Sequence, residues 1–157
     1  MKKITLLLAI CLPLLAAAQR ASFPNAFGIR LGLGSGVTYQ HFFTDRNAIE
    51  VIAYQRMGGV NLTVLNETHQ RLFRMRGMKW HYGYGAHAWL FNQYSFLNEN
   101  RLHANSVALG VDGVVGLTYY FKSIPIQVSV DWKPGINLKG SHYIEWDAGG
   151  ISARYRF

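Results

Sequence analysis

The sequence predicts an all-β protein: an eight-stranded antiparallel up-and-down transmembrane β-barrel, preceded by a cleavable signal peptide. Three observations carry that expectation. The chain opens on a basic, then apolar, then small-residue leader. It continues with eight segments in which apolar and polar residues alternate, and its aromatic residues gather near the ends of those segments. Alternation with a period of two sends successive side chains to opposite faces of a strand, so each segment has one apolar and one polar face.

The leader is read first. Lys2 and Lys3 precede an apolar run over residues 4–15, followed by Ala16-Ala17-Ala18. A basic start, an apolar middle and an A-x-A site make residues 1–18 a secretory signal peptide. The apolar run is short for a membrane-spanning helix. Cys11 is the only cysteine and lies inside the leader; Ala9-Ile10 before it lacks the small residue that lipoprotein processing needs next to the cysteine. Residues 19–157 therefore hold no disulfide and no thiol chemistry. A chain of 157 residues is most simply one domain. Loss of Lys2 and Lys3 takes the formal charge from +8 to +6. A basic surface suits nucleic acid, anionic lipid or glycolipid phosphate, and export removes nucleic acid from that set. The aromatic content of 14%, the frequent glycines and the lack of a long apolar stretch after the leader exclude a helical membrane protein and suit strands with tight turns.

Residues 19–26 are polar around Pro24-Asn25 and form a short tail. The first strand covers 27–33, with Ile29, Leu31 and Leu33 opposite Gly28, Arg30 and Gly32; Gly34-Ser35-Gly36 breaks it. The second, 37–43, sets Val37, Tyr39 and Phe43 against Thr38 and Gln40, and residues 44–47 turn the chain. The third, 48–55, sets Ile49, Val51 and Ala53 against Glu50 and Tyr54; the fourth, 60–67, sets Val60, Leu62 and Val64 against Asn61 and Thr63. Residues 69–77 form a basic connection with Arg71, Arg74 and Arg76. The fifth strand, 78–90, has Trp80, Tyr82, Tyr84, Ala86, Ala88 and Leu90 on one face and Lys79, His81, Gly83, Gly85 and His87 on the other. Residues 92–105 are the longest loop. The sixth, 107–121, carries Leu109 to Phe121 outward, with Asp112 and Thr118 opposed; the seventh, 124–133, sets Ile126, Val128, Val130 and Trp132 against Gln127, Ser129, Asp131 and Lys133. Pro134-Gly135 ends or bulges it, since proline cannot serve a central ladder. Residues 136–148 are the last loop, and 149–157 the closing strand, with Ile151, Ala153, Tyr155 and Phe157 opposite Ser152, Arg154 and Arg156. The even count returns both ends of the barrel domain, 27–157, to one side. Residues 29–43 keep one register throughout, so the first two segments could also be one long strand, which would leave an odd count and an open edge.

Arg30, Glu50, Asp112, Asp131, Lys133 and Arg154 sit mid-strand on the polar faces. A membrane barrel turns that face into its lumen and pairs the charges there; a soluble sandwich or lipocalin-like barrel turns it to water. The leader, the terminal Phe157 and the aromatics Tyr39, Phe43, Trp80, Trp89, Tyr119, Tyr120, Phe121, Trp132 and Tyr155, placed as interfacial girdles are, favour the membrane.

The stretches Ile151-Ser152-Ala153-Arg154-Tyr155-Arg156-Phe157, Asn47-Ala48-Ile49-Glu50 and Ile126-Gln127-Val128-Ser129-Val130-Asp131-Trp132-Lys133-Pro134 resemble small bacterial outer-membrane barrels: the OmpA transmembrane domain, OmpX and opacity-type proteins, and more closely the single-domain barrels of Bacteroidetes-type bacteria. The resemblance covers most of residues 19–157. It implies an eight-stranded barrel spanning the outer membrane, a periplasmic tail over 19–26, and Tyr155 and Phe157 as the signal read by the barrel-assembly machinery. It implies no particular activity, because one scaffold serves many roles. Unlike the OmpA-type protein, the chain has no periplasmic peptidoglycan-binding domain, and its short loops count against adhesion and invasion.

The chemistry expected is correspondingly sparse. Eight strands enclose little more than their own side chains, which counts against a general porin. Lipid A acylases and acyltransferases need serine, histidine and a carboxylate; the one compact candidate is Ser141-His142-Tyr143-Ile144-Glu145, in a loop that holds a base poorly. His81 and His87 are six positions apart, about 20 Å along a strand, too far for one metal. The chain is therefore expected to act without enzymatic activity, metal or cofactor, as a monomer. Outer-membrane lipids are the expected partners, with Arg101, His103, Lys139 and His142 contacting lipopolysaccharide or lipooligosaccharide phosphates. A lipid-modifying enzyme and a soluble secreted barrel with an apolar ligand are the alternatives.

Overall fold

The structure, a computed structural model, describes residues 23–56, 59–72, 75–91, 106–139, 144–146 and 148–157. The leader expected over residues 1–18 lies outside them. Ten strands follow in order: β1 (Asn25–Gly32), β2 (Ser35–Phe42), β3 (Asn47–Arg56), β4 (Gly59–Arg71), β5 (Met78–Phe91), β6 (Ser106–Tyr120), β7 (Ile126–Trp132), β8 (Gly135–Lys139), β9 (Ile144–Glu145) and β10 (Gly149–Arg156). Each of β1 to β6 pairs with its successor, β6 pairs with β7, β7 with β10, and β10 with β1, all antiparallel. The pairings form a closed ring, and the protein is an eight-stranded antiparallel barrel. Closure leaves no free edge, so every ladder is satisfied on both sides.

β8 and β9 add no wall. β7 stops at Trp132, Lys133-Pro134 interrupts it, and β8 resumes along the upper half of β6, from Asp112↔Gly135 to Leu109↔Lys139. The Gly113 amide donates to the Pro134 carbonyl at 2.8 Å across the break. Proline has no amide for the ladder, which places the interruption. The segment 136–148, expected as a loop, instead contains β8 and its short partner β9, paired at Gly135↔Glu145 and Ile136↔Ile144.

One alternative falls away and two further boundaries differ from expectation. The long-strand alternative for residues 29–43 does not occur: the chain reverses at Leu33-Gly34, with Leu31 opposite Ser35. Asn25 and Ala26, expected in the tail, belong to β1, because Asn25 exchanges backbone hydrogen bonds with Phe157 (3.2 and 2.9 Å). β4 continues past Glu67 to Arg71, so His69 is a strand residue with His81 opposite it rather than part of a connection.

Burial is inverted relative to a water-soluble core. Leu31, Ile29, Tyr84, Val130 and Ile151 are 55–71% exposed on the outer wall, whereas Gln127 and Ser152 are wholly enclosed. Among the described residues, buried polar and charged side chains far outnumber buried apolar ones. Two glycines are forced by this geometry. A Cβ on Gly85 would fall on the Val64 carbonyl and Leu65 Cα of β4, so this tightly coiled wall admits only glycine there. Gly77 turns the chain between β4 and β5 at a φ of 92°, a left-handed conformation that glycine alone adopts without strain.

Candidate functional site

The inner surface of the barrel is the candidate site. It has two parts, a packed bore and an open lower mouth on the side where β1 begins and β10 ends. In the bore, period-two alternation turns Arg30 of β1, Glu50 of β3, Asp112 of β6, Asp131 of β7 and Arg154 of β10 inward, with Lys133 just after β7; all six are buried. The structure brings them together as three ion pairs. Arg30 grips Asp131 with both guanidinium nitrogens, Nη1 to Oδ2 at 2.6 Å and Nη2 to Oδ1 at 2.5 Å. This bidentate match is the strong form of the contact. The arginine reaches β7 by crossing β10 over Gly150, where a Cβ would lie 2.7 Å from its Cζ. Arg154 reaches past β1 and β2 to Glu50 of β3, donates from Nε to Thr38 Oγ1 (3.1 Å) and from Nη1 to Ser129 Oγ (2.9 Å), and Thr38 donates to the same carboxylate. Lys133 Nζ stands 3.1 Å from Asp112 Oδ1. Its approach is too oblique for a directed hydrogen bond, so this pair acts through charge. The ammonium also lies 5.8 Å from the centre of the Tyr54 ring.

Neutral and titratable groups complete the bore, and most of them were not singled out as site residues. Gln127 donates to Gln40 (2.7 Å), Gln40 to Glu67 (2.8 Å), and His69 Nε2 lies 3.0 Å from Glu67. The His69 ring stacks on His81, whose Nδ1 is 3.1 Å from Thr118. Higher up, His87 bridges Asp112 at 2.9 Å and Asn137 of β8 at 2.7 Å. His81 and His87 thus take separate hydrogen-bonded positions in the lumen. Glu67 and His69 were missed because the apolar Leu65 interrupts the polar register of β4; counting odd positions from Asn61 onward would have found them. Among the described residues, three ion pairs neutralise Arg30, Lys133 and Arg154 against Asp131, Asp112 and Glu50. Burying a charge without a partner costs several kcal/mol, on the order of 3–5 when one member of a pair is removed, and pairing avoids that.

Two of the residues expected in the aromatic girdle face inward instead. Trp89 is buried in the register of His81 and His87, and Tyr120 turns into the lower mouth in the register of Asp112 and Thr118. On the outer wall, Tyr155 and Phe157 stack with their ring centres 6.4 Å apart, and Trp132 donates to the Trp146 carbonyl at 2.5 Å. Lys139 is exposed at the end of β8. Arg101, His103 and His142 lie outside the described residues, as does most of the candidate serine–histidine stretch. Among the described residues, no group of three or more acidic, histidine or cysteine side chains could hold a metal ion.

The lower mouth holds its charges differently. The turns after β2, β4 and β6 and the two ends of the sheet surround a cavity of about 960 Å³. Among the described residues, Arg71, Arg76, Lys79, Lys122 and Arg156 line it with a single carboxylate, Asp45, and with Phe23, Phe42, Phe43 and Tyr120. The Lys79 ammonium lies 5.0 Å from the centre of the Tyr120 ring and donates to the Asp45 carbonyl (3.3 Å); Arg156 lies 5.3 Å from the same ring.

No protein-family profile matches the chain, and no curated protein matches it. Its fold is similar to the crystal structure of the N-terminal β-barrel domain of Pseudomonas aeruginosa OprF, with a TM-score of 0.63 at 15% sequence identity, over 85% of this chain and 94% of that one. At that identity the likeness is one of fold: a small closed antiparallel β-barrel.

Proposed function

We propose that the chain is an integral outer-membrane β-barrel protein with a structural or surface-interaction role, its polar lumen closed to general solutes. The observation that supports this most is the inverted wall: an apolar belt around the outside, and balanced, mutually paired ions within. An exposed apolar surface on all sides is unfavourable in water by about 25 cal/mol per Å² and favourable in lipid. Ion pairs that cross the bore leave it packed from within rather than open. In this reading the barrel works through its surfaces and not by catalysis. Lys139, exposed at the end opposite the mouth, would meet glycolipid phosphates weakly together with Arg101, His103 and His142, each cation contributing roughly 1 kcal/mol near an anionic surface. Fractionation combined with heat-modifiable gel migration tests the membrane reading: a folded form confined to the outer membrane is expected, and a freely soluble folded form would overturn it. Single-channel recording in planar bilayers tests the closed lumen, for which large stable conductances are not expected.

A further inference from the structure

We infer that the lower mouth is a binding site for a phosphate ester carrying an apolar or aromatic body. The site does not depend on which solvent surrounds the barrel. Its volume, about 960 Å³, falls at the upper end of the range of small-molecule pockets, roughly 300–1,000 Å³. Its lining carries five cations to one carboxylate. In the bore, each cation of the three pairs stands against a carboxylate. At the mouth, among the described residues, no ion pair joins Arg71, Arg76, Lys79, Lys122 or Arg156 to an acid. Lys79 and Arg156 rest instead on aromatic faces and on the carbonyls of Asp45 and Phe121, and the Arg156 Nε is buried without a partner. A strong positive field inside a concave, low-dielectric wall concentrates anions. Three guanidinium groups and two ammonium groups match a multivalent phosphate better than a lone carboxylate, because guanidinium forks bind phosphate oxygens in pairs. Phe23, Phe42, Phe43 and Tyr120 supply the face on which an apolar or planar body would lie.

The phosphate could belong to a soluble ester or to a lipid headgroup, and titration calorimetry on the refolded mature chain in neutral detergent separates them. The probes are 1-naphthyl phosphate, 1-naphthol and short-chain phosphatidic acid. Saturable one-to-one binding of 1-naphthyl phosphate, weakened by salt, supports a soluble ester; binding of phosphatidic acid alone supports a headgroup. The variant Arg71→Gln/Arg76→Gln/Lys122→Gln alters exposed side chains at and beside the turns and is expected to weaken binding about tenfold or more, while Gln55→Ser, exposed at the far end of β3, leaves it unchanged. Heat-modifiable migration verifies that each variant is folded. Absence of saturable binding by either phosphate probe, equal binding of 1-naphthol, or undiminished binding by the triple variant would each overturn the proposal.

Discussion

The bore and the lower mouth both carry arginine, lysine and aromatic side chains, yet they hold charge in opposite ways. In the bore, three cations meet three carboxylates at distances that exclude water between them, and Arg154 reaches past two strands to do so. At the mouth, five cations surround one carboxylate and face an open cavity. The difference follows from access to solvent. An ion held inside a narrow, walled space must be neutralised by the protein that encloses it. An ion at the rim is neutralised by water and salt, so nothing in folding demands an internal partner for it. Charge that is balanced within the bore is there for stability; charge left unbalanced at the mouth is available to a ligand.

The largest test of that contrast is Arg154→Met. It strands Glu50 in the bore and is expected to lower the unfolding free energy by about 3–5 kcal/mol, measured by urea unfolding from lipid vesicles. A loss below about 1 kcal/mol, the scale of an exposed pair, would show that the bore is wet and no different from the mouth. Combining Arg154→Met with Glu50→Leu is expected to recover most of that loss, because an apolar pair of similar volume removes the stranded charge; a double-mutant cycle measures the coupling. Asp45→Ala, at the mouth, is expected to fall within about 0.5 kcal/mol of the parent. Smallest is the effect of salt. Screening relieves repulsion among the mouth cations and leaves the buried pairs almost untouched, so added salt should raise the stability of the parent slightly and that of Arg71→Gln/Arg76→Gln/Lys122→Gln less.

The barrel wall was legible in the sequence because its cause is local. Each of Ile29, Leu31, Leu62, Val130 and Ile151 is apolar where its neighbours along the chain are not, and period two follows directly. The six charged residues of the bore were legible for the same reason, as charges out of place in apolar strands. Their partners were not. Arg154 and Glu50 are 104 positions apart, and Arg30 and Asp131 are 101; which pairs form depends on side-chain reach across a closed cylinder, not on neighbourhood along a strand. The girdle assignment failed at Trp89 and Tyr120 because aromatic residues near strand ends were taken as outward without regard to register. The mouth was only partly legible: the basic connection with Arg71 and Arg76 stood out in the sequence, but the lining comes from three turns and the two ends of the sheet, whose convergence on one cavity no single stretch shows.

The seam between β1 and β10 has a consequence for the order of events in making the molecule. Arg30 and Ser152 face each other across that seam, 122 positions apart, and the ladder runs from Ala26↔Arg156 to Gly32↔Gly150. As the chain is synthesised, β1 emerges first of the strands and its hydrogen-bonding partner β10 last. Throughout that interval β1 presents a bare strand edge, the kind of template on which other extended chains add themselves. Whatever escorts the growing chain must therefore occupy or shield that one edge, then release it when residues 149–156 arrive. Closing the seam is an act of displacement, in which the chain's own final strand replaces a temporary neighbour.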